Sequence, residues 1–311
     1  MIGLSNRVSH VIITLIVLTL TLLLSGCKAE ERVKVLVPFG APHMAILSLD
    51  DEQAYDVHIV FGADPIVAAF GSGTYDIIFA PTQLGVKMYH SKPEYQLLGA
   101  LTWGNLYLIT SDVTIEKWQD LEGKTITLFG KNQTPDIILS FILDALSIEV
   151  DLQYVDALSS AASHFYLNPS EVVLVADPLY SKIIADLNQV NTLDLQIAYQ
   201  EITGVSNYPQ SSVFVKKDLS QSVITQFVND LEASITELNE QPLQSVEKLN
   251  QMGYDLTREM LEHMTQSHQF RFALSNDVKN EIETYLEQIL TFSPNLIDGK
   301  LPEDSFYWRT Q

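Results

Sequence analysis

Three aromatic residues in loop-forming sequence are the first candidates for chemistry in this chain of 311 residues. Phe39, Trp103 and Tyr208 each stand beside a glycine, proline or asparagine, which are residue types that favour turns. Flat rings at such positions could form apolar walls around a planar solute. Each ring could equally fill space in the hydrophobic core, and the sequence leaves both interpretations open.

Polar residues in similar loops could orient such a solute. Asn105, Asn132, Thr134 and Asp177 offer hydrogen-bonding groups, and Lys131 is the one cation at a predicted strand end. A solvated loop lysine is the simpler interpretation of Lys131.

The arginines lie outside the predicted binding loops. Carboxylates and sulfonates are often bound by a bidentate arginine. This placement therefore argues against an amino acid or a sulfonate as the ligand and favours a small planar heterocycle. Helix N-termini can nevertheless bind oxyanions without arginine. The five arginines are Arg7, Arg32, Arg258, Arg271 and Arg309.

The segment Val57–Pro81 predicts the element that positions the first loops. It contains two β-branched runs, Val57–Phe61 and Tyr75–Phe79, with a helix between them. Asp64 is a candidate N-cap, and Pro65 suits the first helical turn. A strand, a helix and a strand over this length form a βαβ unit and hence a parallel sheet. Ligands of such sheets bind beyond the C-terminal ends of the strands.

A second strand–helix series begins near residue 111. Gly123–Phe129 predicts a strand, and Thr134 is a candidate N-cap for the helix that follows. Val172–Ala176 predicts another strand, which ends at Asp177. The second half is therefore built like the first.

The last third of the chain is predicted to be mainly helical. Leu193–Tyr199 predicts one more strand, and Val213–Val215 predicts a strand that rejoins the first half. An apolar stripe at helical spacing then runs from Val223 to Leu238. The aromatic tail at residues 306–308 is expected to pack against the body.

The N-terminus carries a targeting signal. Arg7 precedes Val11–Leu24, an uncharged and mostly apolar run that is short for a membrane span but fits a secretory signal. The sequence Leu24-Ser25-Gly26-Cys27 follows, and Cys27 is the only cysteine. This resembles the lipobox of bacterial lipoproteins, in which the cysteine is lipidated. The alternative is an uncleaved signal anchor with an incidental cysteine.

The charge balance argues against several partners. The chain has 18 basic and 39 acidic residues and a net charge of −21, which disfavours a nucleic-acid surface. The histidines are scattered; His263 and His268, five residues apart, would not share a helix face as metal ligands do. No metal, cofactor or nucleic acid is therefore expected.

Four segments resemble the solute-binding proteins of ABC transporters that have the type II periplasmic-binding fold. The similarity is greatest to the branch that serves nitrate, sulfonates, taurine and thiamine-pyrimidine precursors. Family members usually carry a glutamate before the proline of the third segment, where this chain has Asp177. The segments are TYDIIFAPTQLG (Thr74–Gly85), WQDLEGKTITLFG (Trp118–Gly130), VVLVADPL (Val172–Leu179) and YPQSSVFVKKD (Tyr208–Asp218).

The resemblance implies an α/β fold of two lobes, with parallel or mixed sheets and a helical C-terminal extension packed on the first lobe. The expected segments are a lipoprotein signal peptide (1–26), a lipid-anchored tether (27–32), the first part of lobe I (33–110), lobe II (111–204), and the return strand and C-terminal helices of lobe I (205–311).

The resemblance also implies a function: a monomeric receptor, not an enzyme, held by lipid on the extracytoplasmic face of the cell membrane. A small organic solute would bind between the lobes and pass to the permease and ATPase subunits of an importer. The candidate lipidation site is Cys27, and the candidate ligand-binding residues are Phe39, Gly40, Ala41, Pro42, Asp64, Pro81, Thr82, Trp103, Asn105, Lys131, Asn132, Thr134, Asp177, Tyr208 and Ser211.

Several functions stay open on this fold. A planar heterocycle such as a thiamine-pyrimidine precursor is the favoured solute, and a sulfonate, taurine or nitrate receptor is the alternative. A lipoprotein that only senses solute is a third possibility. An enzyme similar to the pyrimidine synthase that consumes its own histidine is a fourth, although that group has a cysteine-rich motif and this chain has no cysteine beyond Cys27.

Overall fold

The computed structural model of the protein describes residues 32–49, 54–187, 189–266 and 269–309. The predicted signal peptide, the candidate lipidation site Cys27 and most of the predicted tether lie outside the described residues. From Lys34 onward the chain forms one compact unit. No helix in the described ranges is long and apolar enough to cross a membrane.

Strands and helices alternate over most of the described chain. The strands are β1 (Val33–Pro38), β2 (Tyr55–Val60), β3 (Ile77–Pro81), β4 (Tyr95–Trp103), β5 (Leu106–Thr110), β6 (Thr125–Phe129), β7 (Asp151–Val155), β8 (Val172–Ala176), β9 (Asn191–Asp194), β10 (Pro209–Lys216) and β11 (Phe270–Leu274). The helices are α1 (Ala41–Ala45), α2 (Asp64–Ser72), α3 (Thr82–Ser91), α4 (Thr134–Leu146), α5 (Leu158–Leu167), α6 (Leu179–Asp186), α7 (Leu195–Thr203), α8 (Gln221–Glu240), α9 (Pro242–Gln251), α10 (Arg258–Gln266) and α11 (Lys279–Phe292).

The strands form two mixed sheets, which define the two lobes. The first sheet has six strands in the order β11-β4-β10-β3-β1-β2, and the second has five in the order β7-β6-β8-β5-β9. β1 runs parallel to β3, and β6 runs parallel to β7 and β8, whereas β10 and β5 run antiparallel to their neighbours. The predicted α/β class with two mixed sheets is confirmed.

Continuous apolar runs form the central strands. Ile77–Ala80 in β3 and all of β8 are buried, as expected of strands with helices on both faces of the sheet. The predicted helix caps were wrong by one residue, since Ala63 and Gln133 are the N-caps of α2 and α4. Asp64 lies exposed in the first turn, where its charge favours the helix dipole.

Two segments differ from the predicted secondary structure. Residues 193–199 were predicted as a strand, but the strand ends at Asp194, whose carboxylate accepts hydrogen bonds from the backbone N–H groups of Gln196 and Ile197 and starts α7. β11 was not predicted; it pairs with β4 at the edge of the first sheet. The aromatic tail packs down as predicted, and the Trp308 N–H donates to the Leu97 carbonyl oxygen at 2.9 Å.

Two crossovers connect the sheets: residues 103–106 and residues 204–208. In the first, Gly104 and Asn105 both have positive φ angles, of 46° and 96°. The predicted lobe boundaries, after residues 110 and 204, stay a prediction. They assign β5 to the first lobe, but β5 pairs with β8 and β9 in the second sheet because the chain has already crossed at Gly104.

Candidate functional site

The strand ends of the two sheets meet at the crossovers. Trp103 ends β4 and Leu106 begins β5, and Leu106 pairs with the last residue of β8. The C-terminal ends of the parallel strands of the first sheet therefore lie next to the C-terminal ends of those of the second. Phe39 follows β1 on the first edge, and Asp177 follows β8 on the second. We call the space between these edges the interlobe cleft.

Three buried side chains beside the cleft have polar atoms without hydrogen-bond partners among the described residues. They are Asp177 through Oδ2, Ser211 through Oγ, and Gln269 through both Oε1 and Nε2. Each is at most 6% exposed. An unsatisfied buried polar atom costs about 1–3 kcal/mol, so such groups normally contact water or a ligand. We call these three residues the open polar triad.

Strand pairing places the triad around the first crossover. Ser211 lies opposite Thr102 of β4, and the Gln269 carbonyl oxygen accepts a hydrogen bond from the Trp103 N–H at 3.0 Å. Asp177 directly follows a residue of β8 that pairs with Leu106. Residues of both lobes with unpaired polar atoms therefore lie at the strand ends next to the first crossover.

A hydrogen-bond chain fixes Asp177 and joins the lobes. Asp177 Oδ1 accepts from the Ser181 N–H at 3.1 Å and from the Ser181 hydroxyl at 2.5 Å. Ser181 Oγ is also 2.9 Å from His263 Nδ1, on α10. Since the only hydroxyl proton goes to Asp177, His263 Nδ1 must be the donor to Ser181. Asp177 is thus oriented, and its Oδ2 is buried without a hydrogen-bond partner among the described residues.

Two carboxylates lie near this chain: Asp177 is buried and Asp194 is half-buried. Burial raises the pKa of Asp177, and the Asp194 charge adds to the increase, while the Ser181 hydrogen bonds and the His263 charge oppose it. Burial also raises the pKa of Asp194, against hydrogen bonds from the start of α7 and the charge of His263. The Tyr107 and Tyr180 rings, stacked at 3.8 Å, complete the surroundings of His263. The cluster therefore favours positive or hydrogen-donating groups.

The raised pKa of Asp177 predicts a dependence of stability on pH. A carboxyl whose folded pKa exceeds its unfolded value of about 3.9 stabilises the protein below that value. The contribution is lost as pH rises through the raised folded pKa, at about 1.4 kcal/mol for each unit of increase. Urea unfolding between pH 4 and 8 is expected to show wild type losing stability relative to Asp177→Asn as pH rises. Parallel curves for the two proteins would contradict this assignment.

Aromatic residues form a wall at the end of β1. The Phe39 ring stacks on Tyr254 at 4.4 Å and on Phe61 at 5.0 Å. The Tyr254 hydroxyl accepts from the Gly40 N–H at 3.0 Å and donates to the Gly40 carbonyl oxygen at 3.1 Å. Gly40 has a φ of 122°, so a residue with a side chain would be strained in this turn. Phe39 stays 36% exposed at the end of β1, although both Tyr254 and Phe61 stack on its ring.

Four other candidate residues use their polar groups within the protein. The Thr82 hydroxyl contacts the Pro209 carbonyl oxygen and Ser212. The Thr134 hydroxyl lies 2.7 Å from the Tyr285 hydroxyl. The remaining two are buried aromatics: Trp103 donates to the Arg271 carbonyl oxygen at 2.7 Å, and Tyr208 donates to Gln196 at 2.6 Å. Trp103 and Tyr208 therefore fill space in the hydrophobic core.

The α4 loop places its candidates at the surface. Lys131 is exposed, with its ammonium 4.8 Å from the Tyr154 ring centroid. The Asn132 N–H donates to Asp136 Oδ2 at 2.7 Å, so a carboxylate of the protein already occupies this helix start. Asn105 accepts a hydrogen bond from Gln210 in the first crossover. The other candidates, Ala41, Pro42 and Pro81, are half-buried at the starts of α1 and α3.

Several residues beside the site were not among the sequence candidates. Gln269, His263 and Tyr254 all come from the C-terminal segment, and Arg271 lies against Trp103, at 4.5 Å from its ring. The alternation of apolar residues after Gln269, in the run FRFAL, is the one signal that could have predicted a strand here.

Comparisons with known proteins support the architecture. No protein-family model and no curated protein matches the chain. An ABC transporter structure from Parabacteroides distasonis is 18% identical with a TM-score of 0.79, and the match covers 90% of this chain and 99% of the other.

Two further structures show the same similarity. The periplasmic aliphatic sulphonate binding protein SsuA of Escherichia coli is 14% identical with a TM-score of 0.72, over 91% of this chain and 94% of the other. A Candida albicans protein with the generic periplasmic binding protein fold is 13% identical with a TM-score of 0.54, over 88% and 92%. These similarities confirm the predicted periplasmic-binding fold.

Proposed function

We propose that the protein is a solute receptor of an ABC importer. One small organic solute binds in the interlobe cleft and is passed to the permease and ATPase subunits. The fold supports this proposal, as does the similarity to a structure described as an ABC transporter and to one described as a sulphonate binding protein. The receptor acts as a monomer.

The open polar triad is the observation that carries the proposal. Asp177 Oδ2 can accept hydrogen bonds, Gln269 can donate and accept, and the Ser211 hydroxyl can do both. A solute that contacts all three residues would present donors to Asp177 and further polar groups to Ser211 and Gln269. A planar heterocycle with an amino group, such as an aminopyrimidine, meets this requirement, and its apolar parts can contact the exposed part of the Phe39 ring.

An oxyanion fits the same site less well. Sulfonate and nitrate offer only acceptor oxygens, which would approach the carboxylate of Asp177. The start of α4, a natural site for an oxyanion, already binds Asp136. A sulfonate, taurine or nitrate receptor is therefore the second candidate, favoured by the similarity to SsuA alone.

A ligand screen by thermal unfolding tests the proposal. A solute that binds the native state raises the melting temperature by an amount that grows with its concentration. Aminopyrimidines are expected to stabilise the protein, whereas methanesulfonate and nitrate are not. If only the oxyanions stabilise it, the solute class is wrong. If no solute of either class binds, or if a bound solute is chemically converted, the receptor proposal fails in favour of sensing or catalysis.

We also propose that lipid on Cys27 holds the receptor at the extracytoplasmic face of the membrane. The support is the sequence around Cys27, the only cysteine, after an apolar run of signal-peptide length. Cys27→Ala is expected to move the protein from the membrane fraction to the soluble fraction or to leave the precursor uncleaved. Normal cleavage with unchanged membrane retention would count against the anchor.

A further inference from the structure

A second cavity lies beside the two crossovers, next to the edge strands β9 and β11. Its volume is about 470 Å³, and its walls include Trp103, Asn105, Asp194, Asn207 and Arg271. None of the open polar triad and no residue of the Phe39 wall lines it. β9 and β11 are edge strands on one side of the two sheets. β1, which precedes Phe39, and β6, which precedes Gly130, lie towards the opposite side. We call this cavity the hinge pocket.

Arg271, an exposed residue of β11, presents a cation to the hinge pocket. Its carbonyl oxygen accepts the Trp103 Nε1–H at 2.7 Å, and its guanidinium lies 4.5 Å from the centroid of the same ring. No acidic side chain of the described residues forms an ion pair with it, although the chain has 39 acidic residues and only 18 basic ones. The guanidinium therefore lies against the indole and can bind an anion.

Asp194 presents an open acceptor from the other sheet. Its Oδ1 accepts hydrogen bonds from the Gln196 N–H at 2.7 Å, the Ile197 N–H at 3.1 Å and Gln196 Nε2 at 2.9 Å. No group in the described residues donates to Oδ2, and this oxygen is not among the buried unpaired atoms, so it is accessible. The carboxylate remains able to bind an ammonium group.

We propose that the hinge pocket binds a small zwitterion of the α-amino acid class, distinct from the solute of the cleft. Its carboxylate contacts the Arg271 guanidinium, and its ammonium contacts Asp194 Oδ2. The pocket volume is within the range of about 300–1,000 Å³ that small-molecule sites occupy. The amide side chains of Asn207 and Gln200 line the rest of the pocket and can bind a polar side chain.

Binding in the hinge pocket couples to lobe movement. Asn105 and Asn207 belong to different crossovers, so the pocket changes shape when the lobes rotate about them. A zwitterion that contacts both Arg271 on the first sheet and Asp194 on the second favours one lobe angle over others. It then alters solute affinity, and the solute alters zwitterion affinity by the same factor. This coupling rests on the proposed receptor function, whereas zwitterion binding does not.

Calorimetric titration with the twenty L-α-amino acids, applied one at a time to the soluble chain, tests the proposal. At least one is expected to bind wild type, with affinity reduced about tenfold or more in both Arg271→Gln and Asp194→Asn. Asparagine is itself a good N-cap, so the second change keeps α7 capped. Arg258→Gln is the matched control, because Arg258 is an exposed arginine that pairs with Glu262. It is expected to bind as wild type does.

Three results would overturn the inference. The first is that no amino acid binds wild type, and the second is that binding is unchanged in Arg271→Gln and Asp194→Asn. The third is that Asp177→Asn removes amino-acid binding while Arg271→Gln does not, which would place the amino acid in the cleft and revise the solute class instead. The aminopyrimidine screen tests the receptor proposal separately, so failure of that proposal can be told apart from failure of the hinge-pocket proposal.

Discussion

Replacing Asp177 with asparagine is expected to weaken solute binding by about 10- to 100-fold, which corresponds to the loss of hydrogen bonds to a charged acceptor. Asparagine has the same shape and keeps an oxygen that can accept from Ser181, so the hydrogen-bond chain to His263 can persist. What changes is Oδ2, where a charged acceptor is lost. Titration of both proteins with the solute found by the screen measures the effect.

A matched control separates the site from the overall charge. Asp144 is an exposed carboxylate on α4, and Asp144→Asn changes the net charge by the same amount. It is expected to bind the solute as wild type does. Equal affinity in Asp177→Asn and wild type, with both proteins folded, would mean that the solute does not contact the open oxygen of Asp177.

Replacing Gly104 with alanine is expected to destabilise the protein by about 3 kcal/mol, within the range for overpacked sites with broken hydrogen bonds. A Cβ at this position would lie 2.2 Å from Gln196 Cγ. Gln196 cannot move freely, because its side chain bonds to both the N–H and the carbonyl oxygen of Leu106 and accepts from Tyr208. It therefore ties the two crossovers together. Urea unfolding measures the loss.

Gly123→Ala is the control for backbone strain. Gly123 has a φ of 68°, similar in sign to the 46° of Gly104, but nothing lies within 4 Å of an added Cβ. This change should therefore cost only the strain of a left-handed residue, about 1–2 kcal/mol. If the two variants lose equal stability, contact with Gln196 is not the cause, and the close packing of the crossover would have no special role.

The sequence predicted the parts of the fold that local chemistry determines. Apolar runs such as β3 and β8 indicate central strands because both faces are covered, and the prolines near the starts of α2 and α4 locate those helices within one residue. β11 escaped prediction because only Phe270 of its five residues is buried, and pairing with β4 stabilises it. Such pairing is not visible in a local sequence window.

The site was less accessible to sequence reasoning for the same reason. The motif around Asp177 places that residue at a strand end. The contacts that complete the site come from far along the chain: His263, which contacts Ser181, is 82 positions from it, and Tyr254 is 214 positions from Gly40. Spacing also cannot tell which way a side chain points. The Thr134 hydroxyl, expected to orient a solute, instead contacts Tyr285, and Tyr208 is fully buried.

The central proposal is that one solute binds in the interlobe cleft. A solute that contacts both lobes favours the conformation in which they are closer, so the distance between the lobes tests the proposal most directly. Spin labels on cysteines placed at the exposed positions Ala68 on α2 and Ser163 on α5, in a chain with Cys27 replaced, would report this distance. Saturating solute is expected to shift the distance distribution of the protein towards a single shorter value. The same solute concentration should leave the Asp177→Asn variant largely unshifted. A distribution unchanged by saturating solute, in a protein that calorimetry shows to be fully bound, would contradict the account.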